Sequence, residues 1–375
     1  MFDFSSFLSN KAFITEDHHV YTYADLLGLS ERFSEHLVPR SLIFIGCENS
    51  LESIVAYVSC LRSGVVPLLL SRDVPDETLY HLEAIYHPRY CWFPSRRDLL
   101  VKGKEKYSLG GYSLIQYDGD SPVLPEGLAL LLTTSGSTGS PKLVRLSHDN
   151  LKSNACSIIE YLKITSSEKA ITSLPMYYSY GLSVLNSHLL AGATLLLTDK
   201  SYVQREFWKF VLEEKATSFA GVPFTYEILK KMRFEKFLPS SVKVMTQAGG
   251  KLNSSLIKYF SEYARLHDIR FYVMYGQTEA TARMSYLPAE YTLNKVGSVG
   301  VAIPGGHFSL IDEDGMRIVS PNVEGELVYE GSNVFWGYAE SLDDLFKGDE
   351  NKGILYTGDL AYVDSEGFYL SLIHI

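Results

Sequence analysis

Thr133-Thr-Ser-Gly-Ser-Thr-Gly-Ser-Pro-Lys142 is the stretch around which the rest of the chain is organised. It follows an apolar run at residues 128–132 and precedes a second short run at residues 143–146. A strand that breaks into glycine and hydroxyl residues exposes consecutive backbone N–H groups, because Gly136 and Gly139 reach dihedral angles that side chains forbid. A concave row of such donors, with nearby hydroxyls and Lys142, is typical of a site for a polyphosphate.

The spacing of this stretch excludes a Walker P-loop, which requires G-x-x-x-x-G-K-[ST] running directly into a helix. Here the order is G-x-x-G-x-P-K, and Pro141 disfavours a helical conformation at Ser140. Taken alone, the stretch also fits a surface hairpin without function, since turns rich in glycine and serine are common. The rest of the chain has to decide between these alternatives.

The composition narrows the class of protein. A length of 375 residues predicts two or three domains or subdomains, and 46% hydrophobic with 21% charged residues is ordinary for a globular protein. The formal net charge of −10 argues against nucleic acid as a partner, because such binding depends on a basic face. An anionic nucleotide remains compatible with this charge, since a magnesium ion and backbone dipoles act locally.

The sequence predicts a cytoplasmic location. The N-terminus lacks a basic region followed by an apolar core, so we expect no signal peptide. No stretch reaches 18 apolar residues, so we expect no membrane span. The four cysteines are far apart and form no C-x-x-C pair, which favours reduced, buried thiols over a zinc site or a disulfide framework: Cys47, Cys60, Cys91 and Cys156.

Strand and helix patterns alternate up to about residue 296, which predicts an α/β fold of two mostly parallel sheets layered with helices. Between residues 102 and 126 the pattern weakens into turns, and we expect a joint between two subdomains there. Beyond Val296 helical periodicity stops, and short strands are separated by Asp-Gly and Glu-Gly turns. We therefore expect residues 1–296 to form the α/β core and residues 297–375 a small β-rich, barrel-like subdomain.

Local signals place two helices. Thr22-Tyr-Ala-Asp25 is typical of a capping box at a helix N-terminus. After the glycine-rich stretch, Ser147 and Asp149 are candidate caps for a helix whose apolar residues recur at helical spacing. This stripe, which we expect to face the core, consists of Leu151, Ala155, Ile158, Ile159 and Leu162.

Three polar stretches each follow a predicted strand: the glycine-rich stretch, Gln247-Ala-Gly-Gly-Lys251 and Tyr275-Gly-Gln-Thr-Glu279. Ligands of open α/β sheets bind beyond the carboxyl ends of the strands. The three stretches are therefore expected to meet at one ligand site, which disfavours the surface hairpin.

In these stretches the chain resembles the adenylate-forming (AMP-binding) superfamily of acyl-CoA synthetases, non-ribosomal peptide synthetase adenylation domains and beetle luciferases. The segment from Thr134 to Lys142 resembles the phosphate loop of that superfamily. The segment from Tyr275 to Glu279 resembles its Y-G-x-T-E motif, and Tyr356-Thr-Gly-Asp359 its Y-x-T-G-D motif. Residues 61–67, 175–181 and 325–327 match more weakly. The motifs occur in the family order and cover nearly the whole chain.

The resemblance implies a two-step reaction. A carboxylate attacks the α-phosphate of ATP to give an acyl-adenylate and pyrophosphate, and a thiol then takes the acyl group. The thiol is coenzyme A or the phosphopantetheine of an acyl carrier protein. ATP, Mg²⁺ and coenzyme A are the implied cofactors and co-substrates.

The resemblance also implies roles for individual residues. Glu279 would ligate Mg²⁺, Thr278 would contact the α-phosphate and Lys142 would add a positive charge, which makes these three the expected catalytic residues. The expected nucleotide-binding residues divide into a phosphate loop, an adenine platform and a ribose acceptor: Thr134, Ser135, Gly136, Ser137, Thr138 and Gly139; Gly249, Gly250, Tyr275 and Gly276; and Asp359.

Each role has a structural alternative. Glu279 could be a carboxylate stabilised at a helix N-terminus, Asp359 a turn cap, and Lys142 a solvated surface charge. The tyrosines at 177, 178 and 180 could be packing aromatics. We assign no role to the ten histidines.

The chain departs from the family pattern between residues 175 and 181. Many acyl-CoA synthetases have a histidine there, and amino-acid-activating domains have an aspartate that binds the substrate ammonium. This chain has Tyr178 and Ser179 instead. We therefore expect a fatty acid or another uncharged acyl acid as substrate, with Tyr178 and Gly181 as substrate-binding residues.

A second departure concerns the C-terminus. The family continues past Y-x-T-G-D into a hinge and a mobile domain of ~100 residues, an ordinary size for a small domain. The last five residues, Ser371 to Ile375, differ from that hinge, so we expect the N-terminal catalytic core of an acyl-CoA synthetase without its C-terminal domain. A carrier-protein-loading adenylation domain and a non-catalytic nucleotide-binding protein are the alternatives.

Overall fold

The computed structural model describes residues 1–95, 103–133 and 142–373. Within this part of the chain the strands are β1 Lys11–Ile14, β2 Val20–Thr22, β3 Leu42–Cys47, β4 Val66–Ser71, β5 Tyr90–Pro94, β6 Gly103–Leu109, β7 Tyr112–Tyr117, β8 Leu128–Thr133, β9 Leu143–Ser147, β10 Lys169–Ile171, β11 Thr194–Leu196, β12 Ser218–Gly221, β13 Val244–Gln247, β14 Arg270–Tyr275, β15 Ser285–Leu287, β16 Val301–Ala302, β17 Gly306–Ile311, β18 Arg317–Ile318, β19 Gly325–Gly331, β20 Gly337–Ala339, β21 Ile354–Val363 and β22 Tyr369–Ile373.

The helices of the same ranges are α1 Tyr23–Ser34, α2 Leu51–Ser63, α3 Asp76–Tyr86, α4 His148–Leu162, α5 Ser179–Leu190, α6 Arg205–Glu213, α7 Pro223–Met232 and α8 Ser254–Leu266. Short 3₁₀ turns occur at Phe234–Lys236, Thr278–Ala280, Ala289–Tyr291 and Asp343–Phe346.

The strands form three sheets. The first has eight strands in the order β20-β9-β8-β4-β3-β5-β7-β6, and the second has nine in the order β16-β15-β14-β13-β12-β10-β11-β1-β2. In both, the central strands are parallel and the edge strands antiparallel. The predicted α/β class with two helix-layered sheets is therefore confirmed, and antiparallel strands extend each parallel centre.

The third sheet is antiparallel throughout and has the order β18-β17-β19-β21-β22. It is the predicted β-rich region, and within the described residues its first and last strands do not pair with each other. The domain boundary at residue 296 stays a prediction. Strands beyond it contribute to all three sheets, since β16 pairs with β15 and β20 pairs with β9.

Successive side chains along a strand point to opposite faces of the sheet, and in the central strands the side chains on both faces are buried. In β3, Ile43 and Ile45 face the main core, whereas Leu42 and Phe44 face a second cluster under α3. The main core contains residues of α1, α2, α4 and α5 and of both large sheets. The outer face of the nine-stranded sheet is covered by α6, α7 and α8. Burial on both faces explains why β3 and β4 are nearly continuous apolar runs.

The two predicted helix starts are correct. Thr22 and Asp25 form a reciprocal capping box before α1. Ser147 caps α4, and its box partner is Asn150, while Asp149 lies in the first turn. The predicted apolar stripe of α4 is buried, except that Ile159 is half-buried.

Two elements differ from the sequence-based expectation. The region 102–126, expected as turns, contains the hairpin β6–β7, which extends the eight-stranded sheet. Since β6 lies at the sheet edge and is largely exposed, it lacks the apolar alternation that marks a strand. Helix α7 was also missed, although Pro223 occupies the N-terminal position that proline favours.

None of the helices in the described ranges has the length and apolar character that crossing a bilayer requires.

Candidate active site

Two strands of the eight-stranded sheet bring the ends of the glycine-rich stretch together. Thr133 at the end of β8 is paired with Leu143 at the start of β9. Leu143 is in turn paired with Ala339 of β20, so the stretch leaves and re-enters the sheet beside this strand. The predicted phosphate-loop residues lie outside the described residues: Thr134, Ser135, Gly136, Ser137, Thr138 and Gly139.

The Y-G-x-T-E stretch begins where β14 ends, and a buried carboxylate lies beside it. Asp359 of β21 is 2% exposed and accepts a hydrogen bond from the Tyr275 hydroxyl. The Gln277 amide lies 3.4 Å from the same carboxylate oxygen and 3.2 Å from the Thr357 carbonyl. Burial, and then the Asp359 charge, raises the pKa of Tyr275, so this phenol remains a hydrogen-bond donor. The nine-stranded and five-stranded sheets are thus joined at the site.

Gly276 is required by the close approach of two backbone segments. A Cβ atom at this position would lie 1.8 Å from the Ala282 carbonyl oxygen, a distance that no side chain permits. The tight turn that results directs Thr278 toward the start of α5, where its hydroxyl is 3.0 Å from the Ser179 hydroxyl. The backbone therefore fixes the position of the predicted catalytic threonine.

Glu279 and Lys142 approach each other across Tyr338. The Tyr338 hydroxyl donates to Glu279 Oε1 at 2.7 Å. Lys142 Nζ lies 5.5 Å from the centre of the Tyr338 ring and 3.0 Å from Glu340 Oε1. Burial, followed by the hydrogen bond to Glu279, raises the pKa of Tyr338 and keeps it a donor. Tyr338 was not identified from the sequence, because its role depends on the pairing of β20 with β9.

A cleft of about 610 Å³ opens beside the ends of β13 and β14. Its lining includes Gly249, Gly250, Tyr275 and Gly276, all predicted to bind the nucleotide. Gly249 and Gly250 have φ angles of 79° and 149°, which side chains rarely adopt.

The two predicted substrate residues flank the same region. Tyr178 precedes α5, and its hydroxyl lies 2.4 Å from the position that a Cβ of Gly249 would occupy. Gly181 lies in the first turn of α5, where a Cβ would be 2.2 Å from the Pro175 carbonyl oxygen. Gly181 therefore lets the helix pack against the preceding loop, and Tyr178 lies against the glycines of the cleft.

A second, small cavity lies between α5 and the strands β12 and β13. Its polar lining includes Arg283, His188, Ser187 and Thr246, none of which was identified from the sequence. Arg283 is 1% exposed and His188 is 4% exposed. A signal for Arg283 was present, since it is a charged residue four positions after Glu279 in a stretch of small and apolar residues. Nothing comparable marks His188, because helices commonly carry histidines.

The donor chemistry of the site suits a magnesium ion bound together with a nucleotide. The described residues contain no group of three or more His, Cys, Asp or Glu side chains that could hold a metal alone. Mg²⁺ commonly takes only one or two carboxylates and completes its shell with phosphates and water. The half-buried carboxylate of Glu279 is a hard oxygen ligand of this kind.

The structure thus places most of the predicted site residues in one region. Tyr275, Gly276, Gly249 and Gly250 line the cleft, and Asp359 is bonded to Tyr275. Thr278 and Glu279 lie in one 3₁₀ turn that follows Gly276. Lys142 lies near Glu279 because both contact Tyr338, and Tyr178 lies against Gly249. Gly181 lies in the first turn of α5. Their roles toward a ligand stay predictions.

A scan against protein-family models matches residues 6–339 to the family described as AMP-binding enzyme. Among curated proteins, the 2-succinylbenzoate–CoA ligases of Bacillus cereus and Bacillus anthracis are each 32% identical over 382 residues. Each alignment covers 97% of this chain and 76% of the relative, so the chain spans about three quarters of their length.

Several solved structures have the same fold as this chain. The N-terminal domain of FACL13 from Mycobacterium tuberculosis superimposes with a TM-score of 0.82 at 18% identity, covering 99% of this chain and 97% of that chain. O-succinylbenzoate CoA synthetase (MenE) from Bacillus subtilis, in complex with ATP and magnesium ion, gives 0.77 at 24% identity over 97% of this chain and 76% of that chain. The same enzyme with the acyl-adenylate OSB-AMP gives 0.79 at 23% identity, over 97% and 75%.

Proposed function

The chain belongs to the AMP-binding enzyme family, and we propose that it activates a carboxylic acid with ATP and transfers the acyl group to coenzyme A. The observation that carries this proposal is the meeting of Tyr275, Asp359, Thr278, Glu279 and Lys142 at the carboxyl ends of the strands. These are the residues that such chemistry needs, and they come from three separate parts of the sequence.

The first step joins two anions. A carboxylate oxygen attacks the α-phosphorus of ATP, the bond to the β-phosphate oxygen breaks, and pyrophosphate leaves. Because like charges meet in the transition state, positive charge and fixed donors matter more than a strong base. Lys142 supplies a cation and the Thr278 hydroxyl, already placed by Ser179, supplies a donor for the α-phosphate. A magnesium ion bound with ATP offsets further negative charge, and Glu279 is the residue that would hold it.

The nucleotide is oriented by the cleft. Gly249 and Gly250 offer backbone without side chains, so a flat adenine ring can lie close to the chain. Asp359 is a buried carboxylate and accepts hydrogen bonds from the ribose hydroxyls, while Tyr275 and Gln277 fix its orientation. In the second step, the sulfur of coenzyme A attacks the acyl carbonyl carbon and AMP leaves.

We propose 2-succinylbenzoate as the acid, because the curated relatives at 32% identity are named as ligases of this compound. This replaces the fatty or uncharged acid that the missing histidine and aspartate suggested, since 2-succinylbenzoate carries two carboxylates. The relatives give no support to a carrier protein as acceptor, and coenzyme A is the proposed thiol. A cytoplasmic location remains part of the proposal, in keeping with the four free cysteines.

The experiment is to incubate the chain with ATP, MgCl₂ and either 2-succinylbenzoate or hexadecanoate, and to measure pyrophosphate release. Thioester formation is measured separately after addition of coenzyme A. We expect pyrophosphate release that depends on 2-succinylbenzoate and is much weaker with hexadecanoate. Binding of ATP without acid-dependent pyrophosphate release would overturn the proposal and favour a non-catalytic nucleotide-binding protein.

A further inference from the structure

Building on the proposed function, we infer that Arg283 binds the second, non-reacting carboxylate of a dicarboxylic substrate and so selects dianionic acids over monoanionic ones. Arg283 lines the cavity between α5 and the nine-stranded sheet, and it follows the 3₁₀ turn Thr278–Ala280 closely in sequence. The site would therefore bind both the reacting and the non-reacting carboxylate of the acid.

Arg283 is a buried cation, 1% exposed. No carboxylate of the described residues lies within ion-pair distance of its guanidinium group. Its hydrogen bonds go to neutral groups: Nε to the Ser183 hydroxyl at 3.2 Å, and Nη1 to the Tyr161 hydroxyl at 2.8 Å. Burying a charge is costly unless it is paired. A substrate carboxylate would supply the missing charge.

The guanidinium is also held in a fixed orientation. Its central carbon lies 4.5 Å from the centre of the Tyr180 ring, a cation–π arrangement. With Nε and Nη1 engaged, Nη2 makes no hydrogen bond to any residue in the described ranges. An arginine that is already fixed loses little side-chain entropy when it binds an anion, and its planar donors match a carboxylate.

The spacing along α5 fits a short dicarboxylic acid. Thr278 contacts Ser179 at the first residue of α5, and Arg283 contacts Ser183, four residues later. Four residues of an α-helix span ~6 Å. A carboxylate at Arg283 is therefore about one helical turn from the position at which Thr278 meets the reacting group.

The other ionisable groups that line the cavity, His188 and Glu168, supply no positive charge at pH 7. His188 donates from Nδ1 to the Val184 carbonyl at 2.8 Å, and burial lowers its pKa to about 4, so it is neutral at pH 7. Glu168 accepts a hydrogen bond from Thr217 and forms no ion pair with Arg283. Among the described residues that line the cavity, Arg283 is thus the source of positive charge.

The test compares 2-succinylbenzoate with two monoanions that each lack one of its carboxylates, 3-benzoylpropionate and 2-butyrylbenzoate. Pyrophosphate release is measured for the unmodified chain, for Arg283→Met, which removes the charge, and for Arg283→Lys, which keeps it. The matched control is Arg270→Met, because Arg270 bonds to the Leu162 carbonyl and does not line the cavity.

We expect Arg283→Met to lower kcat/KM for 2-succinylbenzoate by roughly 30-fold to 1,000-fold, mainly through KM, as loss of a buried charged partner does. For the monoanion that keeps the reacting carboxylate, Arg283→Met should change kcat/KM by less than about 3-fold, which is the size of effect that surface mutations ordinarily have. Arg283→Lys should retain part of the preference for the dianion over the monoanion, and Arg270→Met should retain the full preference of the unmodified chain. Equal losses for the dianion and the monoanion would mean that Arg283 is structural and would overturn the inference.

Acid binding without ATP gives an independent measurement, which also serves if Arg283→Met fails to fold. Calorimetric titration of the unmodified chain should show at least about 30-fold tighter binding of 2-succinylbenzoate than of the monoanion that lacks the non-reacting carboxylate. Equal affinities would overturn the inference. Absence of pyrophosphate release with all three acids would count against the proposed function, whereas the titration would still decide whether the protein selects dianionic acids.

Discussion

Replacing His188 should change how the stability of the protein depends on pH. His188 is 4% exposed on α5, and its Nδ1 donates to the Val184 carbonyl. Burial lowers its pKa to about 4, whereas the unfolded chain keeps the ordinary value of 6.5. Between these two pH values the unfolded state binds a proton that the folded state does not bind. Stability therefore rises with pH in this window, and the stabilisation is complete above pH 6.5 and lost as pH falls through 4.

The expected change in the free energy of unfolding follows from the size of the pKa shift of His188. Each pH unit within the window changes the free energy of unfolding by about 1.4 kcal/mol, so the full window corresponds to about 3 kcal/mol. His188→Gln has no titrating group at this position. The difference between the unmodified chain and the variant should therefore change by about 3 kcal/mol across the window, while contributions from carboxylates cancel.

The assay is urea unfolding followed by circular dichroism at several pH values from 4.5 to 7.5, with the free energy of unfolding taken from linear extrapolation. His81→Gln is the matched control, since His81 is exposed on α3. The control should follow the unmodified chain at every pH. If His188→Gln also runs parallel to the unmodified chain, the histidine is not buried in its neutral form, and the reasoning about the charge of the cavity fails with it.

Three further predictions concern the cleft. Glu279→Gln should reduce pyrophosphate release by about 100-fold or more while Tm stays within a few degrees, because it removes one metal-binding charge; a large loss of Tm with unchanged activity would show a structural role. Gly249→Ala should raise KM for ATP by roughly tenfold, since it strains a φ angle of 79° and displaces Tyr178; an unchanged KM would argue against adenine binding there. Tyr275→Phe should cost about 1.5–3 kcal/mol in the free energy of unfolding, because it removes a hydrogen bond to the buried Asp359 carboxylate, and the loss is measured by urea unfolding.

Short-range features of the fold could be predicted from the sequence. The capping box of Thr22 and Asp25 and the cap at Ser147 both involve residues within three positions of each other. Such interactions form within one helical turn and need no information about the rest of the chain.

The edge hairpin β6–β7 shows where sequence patterns fail. The strand β6 is exposed over most of its length, so nothing selects apolar residues at alternate positions. Its strand conformation comes from hydrogen bonds to β7, which itself pairs with β5 about twenty residues earlier in the chain. The pairing of β20 with β9 spans a longer separation, and it is this pairing that carries Tyr338 to Glu279.

The sequence by itself determined the α/β class, the family resemblance and two of the stretches that line the cleft, at residues 247–251 and 275–279. Those features are encoded in contiguous motifs, whose spacing is visible without a fold. Only the tertiary structure decided that Arg283 is buried beside Tyr180 and Ser183, without a carboxylate of the described residues, in a cavity between α5 and the nine-stranded sheet. The physical reason is that burial and charge pairing depend on distances between helices and strands that are remote in sequence, and the identity of a single residue does not contain those distances.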